Sequence, residues 1–243
     1  YIFMPYPFKH IDHDTKKFKV TFLSMVTLQI YFDGAKGNYD MFRNFIYSYT
    51  GLQLSKERYE MMEMSSLRLK ASDGALTMKF AKGFVEFSVN GNIYTSFEYN
   101  FGSFINELKK YLNDINANAD SISIEKINLW SVDKNSIYQA INAIFSRNLQ
   151  EMIPLSDHSL IAKEFIDNDN VRDIDNSKLL IKYGSFSEGE NLNLILDTVC
   201  SSCQLVIPSN LHHVATNLNQ RLYDAYNWCV TDSVMEAMRK GPL

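Results

Sequence analysis

Apolar residues either alternate with polar ones or recur every three to four positions along most of the chain, and the two periods mark strands and helices in turn. Between Phe18 and Phe32, the residues Val20, Phe22, Val26, Leu28, Ile30 and Phe32 follow a period of two and predict a first strand. Gly34 and Gly37 end it. Asn38 is placed to cap a helix whose Phe42, Phe45, Ile46 and Tyr49 share one stripe, and Thr50-Gly51 supplies the stop. From Tyr59 to Phe97 the turn chemistry is clearest, with Asp73-Gly74, Lys82-Gly83 and Asn90-Gly91 recurring at close intervals. The first and last of these are expected two-residue hairpin turns, because both central positions tolerate positive φ. Leu76, Met78, Phe80 and Val85, Phe87, Val89 alternate with polar neighbours, so residues 67–97 should form an antiparallel meander with one wet face. Tyr59 to Glu63 fits a helix turn or a strand equally well. Ser96 then caps a long helix that buries Phe97, Phe101, Phe104, Ile105, Leu108, Tyr111, Leu112 and Ile115.

After the polar connection Asn116–Asp120 the order starts again. Ile122, Ile124, Ile127, Leu129 and Val132 predict a strand whose phase slips at Glu125-Lys126, the signature of a bulge. Ser136 is placed to cap a helix carrying Ile137, Ala140, Ile141, Ile144, Phe145 and Leu149. Extended runs follow around Leu160–Phe165, Leu179–Phe186 and Leu192–Val199, separated by turn-rich stretches that include Asn168-Asp169-Asn170 and Glu188-Gly189-Glu190. A helix from about Leu211 carries Val214, Leu218, Leu222, Ala225, Tyr226 and Cys229, and Ser233 with Glu236 spells a capping box for a short last helix. Both halves thus read strand, helix, antiparallel strands, long helix. The expected fold is α+β: one large antiparallel sheet with helices packed on one face, built from a duplicated unit. Residues 1–17 form an N-terminal arm, 18–117 a first half and 118–243 a second half, packed as one domain.

The stretch Ile124–Asn135, IEKINLWSVDKN, resembles a strand signature of a sporadically distributed prokaryotic protein family of unknown function and similar length. Ile93–Glu98 is similar to that family's approach to its middle helix. Leu194–Asp197, with Leu222-Tyr223, Ala225-Tyr226 and Val230–Val234, is similar to its last strand and terminal helix, so the resemblance covers most of residues 93–240. It implies the same α+β fold and brings no reaction with it. The family's usual strand Gly, Arg, Tyr and Asn fall here on Asn128, Trp130, Ser131 and Asp133. An indole therefore stands where a guanidinium would make a bidentate anion contact.

Composition narrows the classes. The 243 residues are 46% apolar and 21% charged, enough for a core without disulfide or metal staples. The net charge of −4 argues against a nucleic-acid partner, whose binding needs a basic face. Its distribution is uneven: residues 1–113 hold fourteen Lys/Arg against eleven Asp/Glu, and the remainder ten against seventeen. Three cysteines make no disulfide framework and point to a reducing cytoplasm, and no apolar run is long enough to span a bilayer.

Few residues suggest chemistry. Cys200-Ser-Ser-Cys203 has the spacing of a redox dithiol or half a zinc site, with His212, His213 and Cys229 as further ligand candidates. The extended sequence on both sides, and the lack of a second such pair, favour a structural reading without metal or other cofactor. His10 and His13 lie beside Asp12 and Asp14 in the arm. Asp197 and Asp133 each follow an apolar strand and are candidate binding or acid/base carboxylates, although strand-end carboxylates more often cap backbone and no partner stands at a fixed spacing. Trp130 and Trp228 are candidate interface anchors beside their core reading. No Gly-rich phosphate loop or nucleophile elbow occurs.

These observations favour a non-enzymatic protein-binding or assembly module, with a homodimer as the default partner and another protein as the next. Two alternatives stand beside it: a hydrolase or transferase whose site forms only in three dimensions, and a nucleic-acid or defence-associated accessory protein.

Overall fold

The computed structural model describes residues 6–8, 11, 18–19, 21–62, 65–71, 74–155, 160–167, 177–188 and 191–241. Its backbone is an α+β fold around one eight-stranded antiparallel sheet. In chain order the elements are β1 (Leu23–Phe32), α1 (Tyr39–Thr50), α2 (Lys56–Met61), β2 (Leu67–Lys70), β3 (Leu76–Ala81), β4 (Phe84–Asn90), α3 (Phe97–Asp114), β5 (Ala119–Val132), α4 (Ile137–Ile144), α5 (Arg147–Met152), β6 (Ile161–Asp167), β7 (Ser177–Glu188), β8 (Asn191–Ser202), α6 (Leu211–Cys229) and α7 (Asp232–Lys240). The strands lie in the order β2-β3-β4-β1-β5-β8-β7-β6. Counted outward from the centre, each side places its own first strand, then its fourth, third and second, which is the order a repeated unit requires.

The period of two decides which face is buried. Val26, Leu28, Ile30 and Phe32 of β1 pair in register with Val89, Phe87 and Val85 of β4 and with Ile124 and Ile122 of β5, and all of these point toward the helices. The rings of α3 complete that side: Phe101 and Phe104 lie 5.2 and 5.4 Å from Phe87, and Phe104 also meets Phe45 and Tyr49 of α1. In the second half Phe145 stands edge-on to Trp130 and to Tyr183, whose hydroxyl donates to the carbonyl of Ile153. The packing explains a departure from the expected single helix over 137–149. Phe145 leaves helical geometry, pairs with Val230 in an isolated bridge, and divides α4 from α5.

Capping follows the predicted chemistry in most places. Asn38 and Ser96 accept from the amides of Met41 and Tyr99, and Gly51 closes α1 at φ 69°. The last helix is capped by Thr231, which accepts from Val234, in place of the expected Ser233 box. Ser136 precedes α4 without a side-chain capping bond. Of the ambiguous segment, Tyr59, Glu60 and Met61 are helical, in α2, and Glu63 lies outside the described residues.

The meander 67–97 forms, with one correction to its turns. The two-residue hairpin is Lys82-Gly83, not Asn90-Gly91, which leads from β4 toward α3. Gly83 has φ 87°, and a Cβ there would stand 2.6 Å from the Phe32 carbonyl, while one on Gly34 would meet Gly83 at 2.3 Å. This turn is therefore a close backbone approach that only glycine permits. The expected bulge at Glu125-Lys126 is also absent. β5 pairs without a break with β8 from Ser123 to Val132, and its irregularities against β1 fall at the two ends of that pairing. The phase slip instead reflects polar residues facing the helices, Lys126 and Asn128, and apolar ones, Ile127 and Leu129, facing away. Asp73, Asn168–Asn170 and Gly189-Glu190 lie outside the described residues. Tyr6 and Phe8 of the N-terminal arm pack on the second half, Tyr6 through a hydrogen bond to Ser177 at 2.8 Å and Phe8 near Trp228.

Phe104 is fully buried among Phe45, Tyr49 and Phe87. Phe104→Ala should therefore cost about 3–5 kcal/mol in urea unfolding. A loss below about 1 kcal/mol would place that ring outside the cooperative core.

Candidate functional site

All α-helices among the described residues lie on the face that carries Val26 and Phe87. The opposite face is formed by the alternate positions of the same strands. One row crosses it from Lys70 through Thr77, Ser88, Thr27, Glu125, Val199 and Leu180 to Glu164, and the next from Asn90 through Met25, Ile127, Asp197 and Lys182 to Ala162. Apolar groups recur on it, with Met25 39% and Tyr31 47% exposed and the Tyr31 ring 4.5 Å from that of Phe84. Thr27 bonds Ser88 at 3.0 Å and Gln29 donates to Glu86 at 2.8 Å, so polar side chains of the first half are tied to one another. At the outer strands Lys178 pairs with Glu164 at 2.5 Å.

Asp197 sits at the middle of this face, diagonal to Glu125 on the neighbouring strand. Partial burial raises both pKa values. The carboxylates of Asp197 and Glu86 push Glu125 further up, with Lys182 opposing, while Lys182 pulls Asp197 back. One oxygen of Asp197, Oδ1, is buried and has no hydrogen-bond partner. Sequence reading singled out Asp197 and missed Glu125. The signal was the phase slip at Glu125-Lys126, which marks a polar residue on each face at mid-strand.

On the helical side of the same place is Lys126, between Val26 and Thr198 in register and 5.8 Å from the Tyr94 ring. Burial pulls its pKa down to about 8.

The other predicted residues are dispersed. Trp130 is 6% exposed, packed between Phe22 and Phe145, so its ring belongs to the core and is not presented to a partner. Trp228 is half-buried beside Phe8. Asp133 caps the turn before α4, accepting from the Asn135 amide at 2.8 Å. Cys200 is fully buried facing the helices, its thiol pushed up to about 12 by burial, whereas Cys203 is exposed beyond the strand end near Lys178 and Glu164. The two sulfurs therefore lie in different environments. His212 bonds Glu98 at 2.6 Å and ties the first turn of α6 to that of α3, while His213 bonds Asn217. Cys229 is buried under α6. Among the described residues no three His, Cys, Asp or Glu side chains are grouped to hold a metal ion, and His10 and His13 lie outside them.

Two clefts of about 460 and 450 Å³ open at the junction of α5, α6 and α7, with Arg147 and Thr231 in both walls. They lie on the helical side, across the sheet from the carboxyl pair. No helix among the described residues is long and apolar enough to cross a membrane. No family model fits the chain, and no curated protein is significantly similar to it.

Two outcomes follow from this chemistry. The folded chain binds the Glu125 proton more tightly than the unfolded chain, so this contribution to stability is present below the ordinary glutamate pKa and is lost as pH rises through the raised value. Glu125→Gln should raise the thermal midpoint relative to wild type at about pH 8, with the difference vanishing toward about pH 4. An equal difference at both pH values would contradict a raised Glu125 pKa. A disulfide reagent should label one thiol per native chain, Cys203, and all three cysteines after unfolding. Rapid labelling of two in the native state would show that Cys200 or Cys229 is open.

Proposed function

We propose that the chain is a non-enzymatic assembly module whose working surface is the helix-free face of its sheet and whose partner is a second copy of itself. The observation that carries this reading is an eight-stranded face with apolar groups in both halves and no helix over it among the described residues. Seven inter-strand spacings of about 4.8 Å, and rows about seven residues deep, give a face on the order of 800 Å². That is the area each partner contributes to an interface of ordinary size. Two sheets pack with strands roughly aligned and about 10 Å apart. A two-fold axis parallel to the strands, over the β1–β5 boundary, lays β1 of each copy over β5 of the other at the same level, so that Ile127 of one copy meets Met25 of the other. The contact is isologous and therefore closed. The carboxyl pair lies in mid-face and away from the clefts at α5–α7, which favours assembly over a hydrolase or transferase reading.

Light scattering after size exclusion checks this. The expected mass is twice the chain mass of 28.1 kDa. Ile127→Glu, on the open face, should weaken association by at least about tenfold while leaving the circular dichroism spectrum unchanged, since it places a charge against Met25 of the second copy. A wild-type protein that stays at the single-chain mass at every concentration would overturn the proposal.

A further inference from the structure

We propose that the flank of α6 carrying Gln220, Arg221, Asp224 and Trp228 is a docking groove for an extended, tyrosine-anchored segment of a partner protein, and that Tyr6, Phe8 and Ile11 of the chain's own arm occupy it in cis. The groove is on the helical side and does not depend on what covers the open face. Three contacts define it. The Tyr6 ring lies over the Arg221 guanidinium at 5.2 Å, and its hydroxyl bonds Ser177 at 2.8 Å and comes within 3.7 Å of the Cys200 sulfur. Phe8 stacks on Tyr6 at 5.0 Å and lies 6.3 Å from the Trp228 ring. Ile11, whose side chain is exposed, is held by its main chain on both sides. Its amide donates to Asp224 Oδ1 at 3.0 Å and its carbonyl accepts from Gln220 Nε2 at 2.9 Å, while Gln220 also donates to Asp224.

Gln220 and Asp224 stand four residues apart on α6 and are therefore neighbours on its surface. Together they offer one residue an acceptor for its N–H and a donor for its C=O, as an adjacent strand would. Such a clasp reads extended backbone and tolerates any side chain but proline, so selectivity falls to the two rings. Arg221 and Asp224 are buried where the arm meets the helix. A strap that served only for packing would be better seated on apolar residues, because burying charges costs free energy that close pairing must return. The groove also runs on past the arm. Phe8 and Ile11 form one wall of the cleft of about 460 Å³, with Trp228, Asn227, Arg147 and Asp232 among the others. A partner segment with a side chain to place there gains a contact, which lets it compete with the arm. The arm's advantage is its tether. Six residues separate Ile11 from Phe18, which packs near Tyr223 of the same helix. A tether of that length gives an effective concentration on the order of millimolar, so a free peptide binds weakly until the arm is loosened.

The test is fluorescence anisotropy on the full chain, with a labelled peptide of residues 1–12 as the probe. Ile11→Pro removes from the arm the N–H that Asp224 holds, and should raise affinity for the probe at least about tenfold over wild type with the association state unchanged. Phe8→Ala should act in the same way and stands in if the first variant fails to fold, as judged by its thermal transition. Adding Gln220→Ala to the loosened chain should weaken binding at least about threefold. A probe carrying Tyr6→Phe, which loses the bond to Ser177, should bind the loosened chain more weakly by a similar factor. No saturable binding to either loosened chain up to about 1 mM probe overturns the groove. Binding that both Gln220→Ala and the Tyr6→Phe probe leave unchanged places the peptide elsewhere and also overturns it. New self-association of the loosened chain that the probe disperses assigns the groove to the arm of a second copy and overturns the partner-protein reading.

Discussion

The antiparallel pairing of β1 with β5 is the contact on which the rest of this structure depends. Each half alone is a four-stranded sheet with a long edge at its first strand, and an unpaired edge of that length is an invitation to irregular association. Joining the two edges aligns Leu28 with Ile124 and Ile30 with Ile122, so one continuous apolar layer forms under α3 and α6. A slip of one residue would turn every one of those side chains to the other face. The same register therefore sets the helical core and also what appears on the opposite side. Once β1 is held, Met25, Thr27, Gln29 and Tyr31 must point outward, in line with Glu125 and Ile127.

The centre of the sheet is more polar than a core normally allows. Lys126, Asn128 and Thr198 face the helices, while Glu125 and Asp197 face the other way, all within two rows. Thr198 is satisfied by the Lys126 carbonyl, and the lysine lies against Tyr94, so part of the burden is met locally. On the other face Lys182 stands in register beside Asp197. One oxygen of Asp197 remains buried without a partner, a cost that a surface needing no further contact would have no reason to carry.

Much of the architecture is legible in the amino-acid order because local signals and global fold agree. The alternation in β1, β3 and β4, the stripe of α3 and the caps at Asn38 and Ser96 each specify their element, and together they specify the helical face of the sheet. The misreadings share a cause, since each depended on a tertiary contact. Lys82-Gly83 makes the tight turn because Gly83 must pass the Phe32 carbonyl. Phe145 interrupts a helix because its ring is needed between Trp130 and Tyr183. The site was only half visible for a related reason. Asp197 stands out at the end of an apolar run, but Glu125 is distant in sequence and becomes its partner only through the β5–β8 register. Trp130 stood out by rarity, which says nothing of which way a strand residue faces.

The central claim is that a second copy covers the helix-free face, and oxidative footprinting as a function of protein concentration addresses it at the level of single side chains. Met25 and Tyr31 lie on that face at 39% and 47% exposure, and Tyr99 and Tyr138 on helices of the other side at 75% and 65%. Brief hydroxyl-radical exposure oxidises accessible methionine and aromatic side chains in proportion to their exposure. The account predicts that Met25 and Tyr31 become protected as concentration rises through the association range while Tyr99 and Tyr138 are oxidised at an unchanged rate. Protection of the helical tyrosines instead, or no change at Met25 and Tyr31 while a dimer forms, would contradict it.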